Sequence, residues 1–252
     1  MREWSLQQGC GVRFEWGPTG ARQLAPDVAC LVVVDVLSFT TSVTIAVEAG
    51  TRVFPYAWRD RTALAFAREH AAELAVGRRE TTPDSPWSLS PAALGTAPFT
   101  PRLVLPSPNG SAISAAAAAA GGTVIAGSLR NATAVARWLT AHGYGRPERP
   151  VGVVAAGEHW PDGSLRPALE DLLGAGAVIA GLHDHGAGPL SPEAAAAHTT
   201  FTGTPDPAAS VTASSSGREL TEAGFPEDVA IATALNTSPT VPLLTHNAFT
   251  PA

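Results

Sequence analysis

The chain contains an apolar segment that only one charged residue interrupts, Cys30-Leu31-Val32-Val33-Val34-Asp35-Val36-Leu37. An apolar run of this length is typical of a parallel strand that is covered on both faces. It leads into Ser38-Phe39-Thr40-Thr41-Ser42 and then into a segment, 43–49, with helical character. In open α/β sheets, ligands bind beyond the carboxyl ends of such strands. We therefore expect an α/β protein whose chemistry lies where this strand ends.

Asp35 places a carboxylate inside this apolar run. A charge in a buried strand must be paired, hydrogen-bonded or bound to a metal, because its removal from water is costly. Two interpretations stay open: Asp35 caps the next helix or accepts a hydrogen bond in the core, or it is a functional carboxylate. Polar residues at the ends of later strands favour the functional interpretation.

Three later strands also end in polar residues. After the first two of them, a turn joins the strand to a helix, and backbone N–H groups at the start of a helix attract anions. These two strand–turn–helix units therefore predict a phosphate-like site. The alternatives are that the Asn-Gly pair is only a connecting turn and that Asn131 is only a helix cap. The strands and the polar segments after them are 102–105 with Pro108-Asn109-Gly110-Ser111, 121–126 with Gly127-Ser128-Leu129-Arg130-Asn131, and 151–156 with Gly157-Glu158-His159.

The alternation of strand and helix signals predicts a layered α/β/α fold with a largely parallel or mixed sheet. We expect a single domain over 1–252, or two similar α/β subdomains with the site between them and a boundary near 77–101. That Pro-rich stretch is expected to be mainly loop. A helix is predicted from about Asp60 to Ala75, and a short final strand over 241–244.

The composition excludes several kinds of chemistry. All 16 basic residues are Arg, so Schiff-base chemistry and a Walker-type phosphate lysine are excluded. The formal net charge of -6 gives no general attraction to nucleic acid or to membranes, and we expect neither as a partner. The two cysteines are too few for a disulfide framework. The N-terminal residues are charged where a signal peptide is apolar, which indicates a cytoplasmic protein.

Six motifs follow one another along the chain. They are Val33-Val34-Asp35-Val36-Leu37 with Thr40-Thr41, Pro108-Asn109-Gly110-Ser111, Gly127-Ser128-Leu129-Arg130-Asn131-Ala132-Thr133-Ala134-Val135-Ala136, Ala156-Gly157-Glu158, Leu169-Glu170-Asp171-Leu172-Leu173-Gly174-Ala175-Gly176-Ala177-Val178, and Ser216-Gly217-Arg218-Glu219-Leu220 with Gly224-Phe225-Pro226-Glu227-Asp228. In this order they resemble the 2-phosphosulfolactate phosphatase family. The resemblance extends from about Asp27 to Leu244.

The resemblance implies a Mg²⁺-dependent phosphatase that acts on a small anionic phosphorylated hydroxy acid in coenzyme M biosynthesis. Motif matching and side-chain chemistry together select the candidate residues. Helix-dipole stabilisation is the alternative role for Glu170 and Asp171. The expected catalytic residues are Asp35 and Glu158; the metal ligands are Asp35, Glu158, Glu170 and Asp171; the substrate contacts are Ser38, Thr40, Thr41, Asn109, Gly110, Ser111, Gly127, Ser128, Asn131, Arg78 and Arg79.

The sequence departs from the family pattern at Ser38, where relatives usually have an Arg. Gly77-Arg78-Arg79-Glu80 keeps the composition of a second family element but not its order, and Arg78 or Arg79 is the candidate substitute. A non-catalytic or repurposed anion-binding protein is therefore the alternative function. An oxidoreductase with a dinucleotide fold is disfavoured, since no Gly-x-Gly-x-x-Gly follows the first strand. A homodimer is expected from the general frequency of symmetric dimers.

Overall fold

The computed structural model describes residues 3–57 and 61–252. Short 3₁₀ turns lie at Glu3–Leu6, Ala25–Asp27 and Leu129–Asn131. The strands are β1 (Val12–Trp16), β2 (Cys30–Val34), β3 (Arg52–Tyr56), β4 (Glu73–Leu74), β5 (Arg102–Pro106), β6 (Thr123–Gly127), β7 (Val151–Ala155), β8 (Glu158–His159), β9 (Leu165–Arg166), β10 (Pro242–Thr245) and β11 (Ala248–Pro251). The helices are α1 (Gly17–Leu24), α2 (Phe39–Glu48), α3 (Arg61–Glu69), α4 (Pro91–Thr96), α5 (Gly110–Ala119), α6 (Ala132–Ala141), α7 (Leu169–Asp184), α8 (Pro192–Thr202), α9 (Pro207–Ala213), α10 (Ser215–Glu222) and α11 (Pro226–Ala232).

The main sheet has the strand order β1-β7-β2-β6-β10-β11-β3-β5-β4. Its two parallel sections, β1-β7-β2-β6 and β3-β5-β4, are joined by the antiparallel hairpin β10–β11. A single residue pair connects the hairpin to each section: Leu243 to Ile125 on one side and Phe249 to Val53 on the other. The sheet is therefore mixed but mostly parallel, as predicted.

Helices cover both faces of the β1-β7-β2-β6 section, which confirms the layered α/β/α prediction. Successive side chains of a strand point to opposite faces. Cys30, Val32 and Val34 of β2 accordingly contribute to the core beneath α6, α7 and α8. Leu31 and Val33 contribute to the core beneath α1, α2 and α5. The apolar run of β2 is fully buried because each face has its own helical layer.

Strand β2 ends at Val34, so that Asp35 lies in the turn beyond it. Local hydrogen bonds explain this end point. The backbone N–H of Asp35 donates to Thr40 Oγ1 at 3.0 Å, and the Asp35 carbonyl accepts from the Thr40 N–H at 2.9 Å. Since these groups are used inside the turn, Asp35 cannot continue the pairing of the strand. Helix α2 consequently begins at Phe39, earlier than the sequence pattern indicated.

Other boundaries also differ from the sequence predictions. The start of the helix expected from about Asp60 lies outside the described residues. Its described part ends at Glu69, because Ala71 has a φ of 47° and Glu73–Leu74 pairs with β5. The loop expected over 77–101 contains α4, whose N-cap is Ser90. Five strands were not predicted, namely β1, β4, β8, β9 and β11.

The structure bears on two further features of the sequence. Cys10 and Cys30 are both free thiols. Within 3–57 and 61–252, no helix has the length and apolar character needed to cross a membrane.

Candidate active site

Asp35 connects the end of β2 to the start of α5. Its Oδ1 accepts from the Phe39 N–H at 3.0 Å, and its Oδ2 accepts from the Gly110 N–H at 2.9 Å. A Cβ at Gly110 would collide with the Phe39 ring and lie 2.8 Å from Asp35 Oδ2, so this approach requires glycine. The side chain is 5% exposed. Burial raises the pKa of Asp35, helped by the charge of Glu170, while the two backbone N–H groups and Arg78 act in the opposite direction.

Asp171, on α7, makes the same kind of contact to the segments that follow β2 and β7. Its Oδ1 accepts from the Val36 N–H at 2.7 Å, and its Oδ2 accepts from the Gly157 N–H at 2.8 Å. These contacts hold the segments after β2 and β7 side by side. Burial, followed by the negative charges of Asp35 and Glu170, raises the pKa of Asp171 well above its usual range.

Glu158 and Asn109 form a polar pair at the mouth of the site. Asn109 Nδ2 donates to Glu158 Oε2 at 3.1 Å. Burial and the charges of Asp35 and Glu170 raise the pKa of Glu158 to about 7, against the hydrogen bond from Asn109 and the charge of Arg166. Asn109 Oδ1 is buried and has no hydrogen-bond partner among the described residues. A buried acceptor without a partner indicates a place for a ligand or an ion.

Arg78 supplies the positive charge of the site. Its Nη2 donates to Ser38 Oγ at 2.7 Å, and its Nε donates to Asp228 Oδ2 at 3.0 Å. Asp228 is buried and also accepts from Ser90 Oγ at 2.5 Å. Arg79 instead is exposed and donates to the Ala223 carbonyl. Of the two candidate substitutes for the missing family Arg, Arg78 is therefore the one whose guanidinium stands at Ser38.

These side chains enclose two adjoining cavities. The first cavity, of about 360 Å³, is lined by Asp35, Leu37, Ser38, Ala57, Arg78, Leu89, Ser107, Pro108, Asn109 and Glu158. The second cavity, of about 320 Å³, is lined by Leu37, Arg78, Glu158, His159, Arg166, Ser216, Glu219, Leu220, Ala223 and Phe225. The first cavity thus brings together five of the residues predicted from the sequence, Asp35, Ser38, Arg78, Asn109 and Glu158.

Several other predicted residues serve the surrounding backbone instead of lining these cavities. Thr40 Oγ1 donates to the Asp35 carbonyl and Thr41 Oγ1 to the Val36 carbonyl, both at 2.8 Å. Ser111 Oγ donates to the Leu105 carbonyl at 3.3 Å. These hydroxyls stabilise the turn after β2 and the start of α5, so their contribution to the site is positional.

The segment after β6 is closed off from both cavities. Asn131 Oδ1 accepts from the N–H and the hydroxyl of Ser128, and Asn131 Nδ2 donates to the Thr240 and Ala126 carbonyls. A Cβ at Gly127 would lie 2.7 Å from Val32 Cγ1, so this glycine is needed for close approach to β2. Asn131 stands at the N-cap position of α6, but its side chain makes no capping hydrogen bond to that helix; it closes the 3₁₀ turn Leu129–Asn131 together with Ser128.

The donor set of the first cavity fits a hard cation such as Mg²⁺. Among the described residues, no group of three or more His, Cys, Asp or Glu side chains is placed to hold a metal ion. Mg²⁺, however, is commonly bound by one or two carboxylates together with water and substrate phosphate. The first cavity offers the carboxylates of Asp35 and Glu158 together with the unpartnered amide oxygen Oδ1 of Asn109. Glu170 lines a different cavity, where its Oε2 accepts from Ser214 Oγ at 3.3 Å.

Sequence reasoning missed Asp228 and Arg166. Asp228 reaches Arg78 across 150 positions of the chain. Asp228 belongs to the last of the six motifs, but it also lies in the first turn of a helix, where helix-dipole stabilisation already explains an acidic residue. Arg166 faces Glu158 across the β8–β9 pair, and these two-residue strands are too short to give a periodic pattern.

Comparison with known proteins adds two matches. The sequence model of the 2-phosphosulpholactate phosphatase family matches residues 19–247, a range that includes every residue lining the two cavities. A protein of Deinococcus radiodurans named probable 2-phosphosulfolactate phosphatase is 31% identical over 230 residues. That alignment covers 90% of this chain and 91% of the relative.

Proposed function

The chain belongs to the 2-phosphosulfolactate phosphatase family, and we propose that it hydrolyses a phosphorylated 2-hydroxy acid of the 2-phosphosulfolactate type with Mg²⁺. Family membership makes it a phosphatase, a phosphoric monoester hydrolase. The observation that carries the proposal is the first cavity, where Asp35, Glu158 and Asn109 lie together with Arg78. Coenzyme M biosynthesis, a cytoplasmic location and a homodimer remain predictions.

Phosphate binding is assigned to Arg78. A guanidinium forms strong charge-assisted hydrogen bonds with phosphate oxygens. Arg78 Nε donates a hydrogen bond to Asp228, and its Nη2 donates one to Ser38 Oγ. Ser38 is neutral, so it can give up this contact to a phosphoryl oxygen at little cost. The arrangement explains how the site tolerates Ser38 where relatives usually have an Arg.

Asp35, Glu158 and Asn109 Oδ1 would hold the metal ion. When bound, Mg²⁺ would neutralise charge on the phosphoryl oxygens and lower the pKa of a coordinated water. Each Asp35 oxygen accepts one backbone N–H and keeps a second lone pair for a ligand. The N–H groups of Phe39 and Gly110 fix the orientation of this carboxylate before any substrate arrives.

Glu158 is the group that can move a proton near neutral pH. Its Oε2 accepts from Asn109, which leaves Oε1 for a cation or for a proton of the attacking water. With a pKa of about 7, both forms of Glu158 are populated at neutral pH. A general base works best when its pKa is near the working pH.

The proposal is tested by measuring phosphate release from a panel of phosphate monoesters with Mg²⁺ and with excess chelator. We expect turnover with Mg²⁺ and its loss with chelator, restored when Mg²⁺ is added back. Turnover that the chelator leaves intact would contradict the metal dependence. Ligand binding without phosphate release in the presence of Mg²⁺ would instead support the alternative, an anion-binding protein that kept the fold.

A further inference from the structure

The second cavity is continuous with the first. Leu37, Arg78 and Glu158 line both of them. A molecule whose phosphate lies in the first cavity would therefore extend past these three residues into the second. The first cavity already accounts for the proposed phosphate and metal groups, so the second is available for the remainder of a substrate.

The second cavity has a cation of its own, Arg166. Arg166 lies directly opposite Glu158 in the β8–β9 pair, and its guanidinium is 5.7 Å from the centre of the Trp160 ring. Its acidic contact is Glu219 on α10, at 3.5 Å between Nη2 and Oε2. The Arg166 side chain is 18% exposed, whereas that of Glu219 is 75% exposed. An ion pair this long with so exposed a carboxylate is weak, so another anion can replace Glu219.

The rest of the second cavity suits a short carbon chain. Leu37, Leu220 and Phe225 give it an apolar wall, and Arg78 stands at the boundary with the first cavity. A small acid that enters this space meets apolar contacts along its carbon atoms and a guanidinium at its end. Neutral phosphate esters would gain only the apolar part of this interaction.

We propose that the second cavity binds the acid group of the substrate, a carboxylate or a sulfonate, and that Arg166 is the residue that selects for it by exchanging Glu219 for that group. The inference rests on the proposed function, since it places the phosphate of the same molecule in the first cavity.

The first test compares kcat/KM for three substrates: ethyl phosphate, 2-phospholactate and 2-phosphosulfolactate. In Arg166→Met, kcat/KM for the acid-bearing substrates should fall about ten- to hundredfold further than kcat/KM for ethyl phosphate, as expected for loss of a charge-assisted contact. An equal extra loss for both acids assigns Arg166 to the carboxylate, and a larger loss for 2-phosphosulfolactate assigns it to the sulfonate. An equal fall for all three substrates, or no fall, would overturn the proposal.

The matched control is Arg218→Met. Arg218 lies on α10 next to Glu219, is 70% exposed, pairs with Glu222 and lines neither cavity. This variant should keep the wild-type ratio among the three substrates. Glu219→Gln should leave that ratio unchanged or increase its preference for the acids, because the competing carboxylate charge is gone. A decreased preference in Glu219→Gln would overturn the exchange.

A binding measurement separates this inference from the proposed function. Isothermal titration calorimetry with 3-sulfolactate, which has no phosphate, reads the second cavity without turnover. Arg166→Met should weaken the binding of 3-sulfolactate about tenfold or more. The control variant Arg218→Met should bind 3-sulfolactate as the wild type does. If binding depends on Arg166 but no phosphate ester is hydrolysed, the proposed function fails and the subsite stands. If phosphate esters are hydrolysed and Arg166→Met leaves 3-sulfolactate binding unchanged, the proposed subsite is wrong and the proposed phosphatase activity is retained.

Discussion

Asn109 and Asn131 occupy equivalent places in the chain and have different roles. Each follows a buried strand, β5 or β6, and each stands at the start of a helix. Asn131 uses both ends of its amide on Ser128, Thr240 and other neighbours. Asn109 donates to Glu158 but leaves its buried Oδ1 without a partner among the described residues. The sequences around Asn109 and Asn131 predict the same chemistry. Only the structure shows that Asn131 is used up by its neighbours whereas Asn109 keeps a free acceptor.

The difference shows what makes a polar strand end functional. A polar group that satisfies buried backbone groups stabilises the fold and has little left for a ligand. A group that faces a cavity with a free lone pair can bind a substrate or a cation. Asp35 and Asp171 differ in the same way, since both accept two backbone N–H groups but only Asp35 lines the first cavity.

The largest effect is expected from Asp35→Asn. The substitution keeps the shape and removes the charge proposed to hold the metal ion, so kcat/KM should fall about 10²- to 10³-fold. Steady-state phosphate release at saturating Mg²⁺ measures it. Asp171→Asn is the comparator: it should lower the melting temperature, with a smaller loss of turnover in the folded protein. Wild-type turnover in Asp35→Asn would remove Asp35 from the site.

Asn131→Ala should chiefly reduce stability. It leaves the Ser128 N–H and the Ala126 and Thr240 carbonyls without their partner in the interior, which costs about 2 to 4 kcal/mol of unfolding free energy. Urea denaturation followed by circular dichroism measures this cost. Asn109→Ala is the matched variant, expected to lower kcat/KM with a smaller loss of stability. If the two variants behaved alike, the distinction between a structural role for Asn131 and a site role for Asn109 would be wrong.

The sequence predicted the central part of the fold better than its edges. The buried run of β2 and the strand–turn–helix units after it are fixed by local composition, and they were found. Strand β1 was missed because Arg13 and Glu15 interrupt its apolar pattern; the Arg13 guanidinium is buried against the Leu6 and Cys10 carbonyls. The helix predicted to Ala75 ends early because pairing of β4 with β5 overrides the local preference.

The candidate site, like the fold, was predicted only where local sequence carries the information. Asp35, Asn109 and Glu158 could be proposed because each follows a strand in the sequence. That Asn131 is fully hydrogen-bonded could not be known, because Thr240 approaches it from 109 positions away. The partner of Arg78, Asp228, is equally remote. Local sequence indicates which groups are polar but not which of them are already satisfied.

The pH dependence at Glu158 separates the contribution of this carboxylate to function from its contribution to stability. Burial, with Asp35 and Glu170, raises its pKa to about 7 in the folded protein. Both proposed roles need the ionised form, so Mg²⁺ affinity and kcat/KM at subsaturating Mg²⁺ should rise between about pH 6 and about pH 8. Stability should change the other way: the contribution of this group is present at low pH and lost as pH rises through about 7.

Metal titrations from about pH 6 to about pH 8 measure the first trend, and thermal melts from about pH 4 to about pH 8 measure the second, because stability changes between the ordinary pKa of a Glu side chain and about 7. Glu158→Gln should flatten both, since the titrating group is gone. Mg²⁺ affinity that is independent of pH in the wild type would exclude Glu158 as a ligand. A pH dependence that persists in Glu158→Gln would assign the titration to another carboxylate.

The smallest effect is expected at Ser38. Ser38→Ala removes one of the two side-chain hydrogen bonds that orient Arg78 and leaves the ion pair with Asp228. Loss of one hydrogen bond should change kcat/KM for all phosphate monoesters by about two- to tenfold, without a change in preference among them. Ser38→Arg should give no gain in selectivity, because a second guanidinium beside Arg78 adds repulsion where a cation already stands. A gain in activity toward 2-phosphosulfolactate over ethyl phosphate in Ser38→Arg would show that Arg78 does not replace the missing Arg.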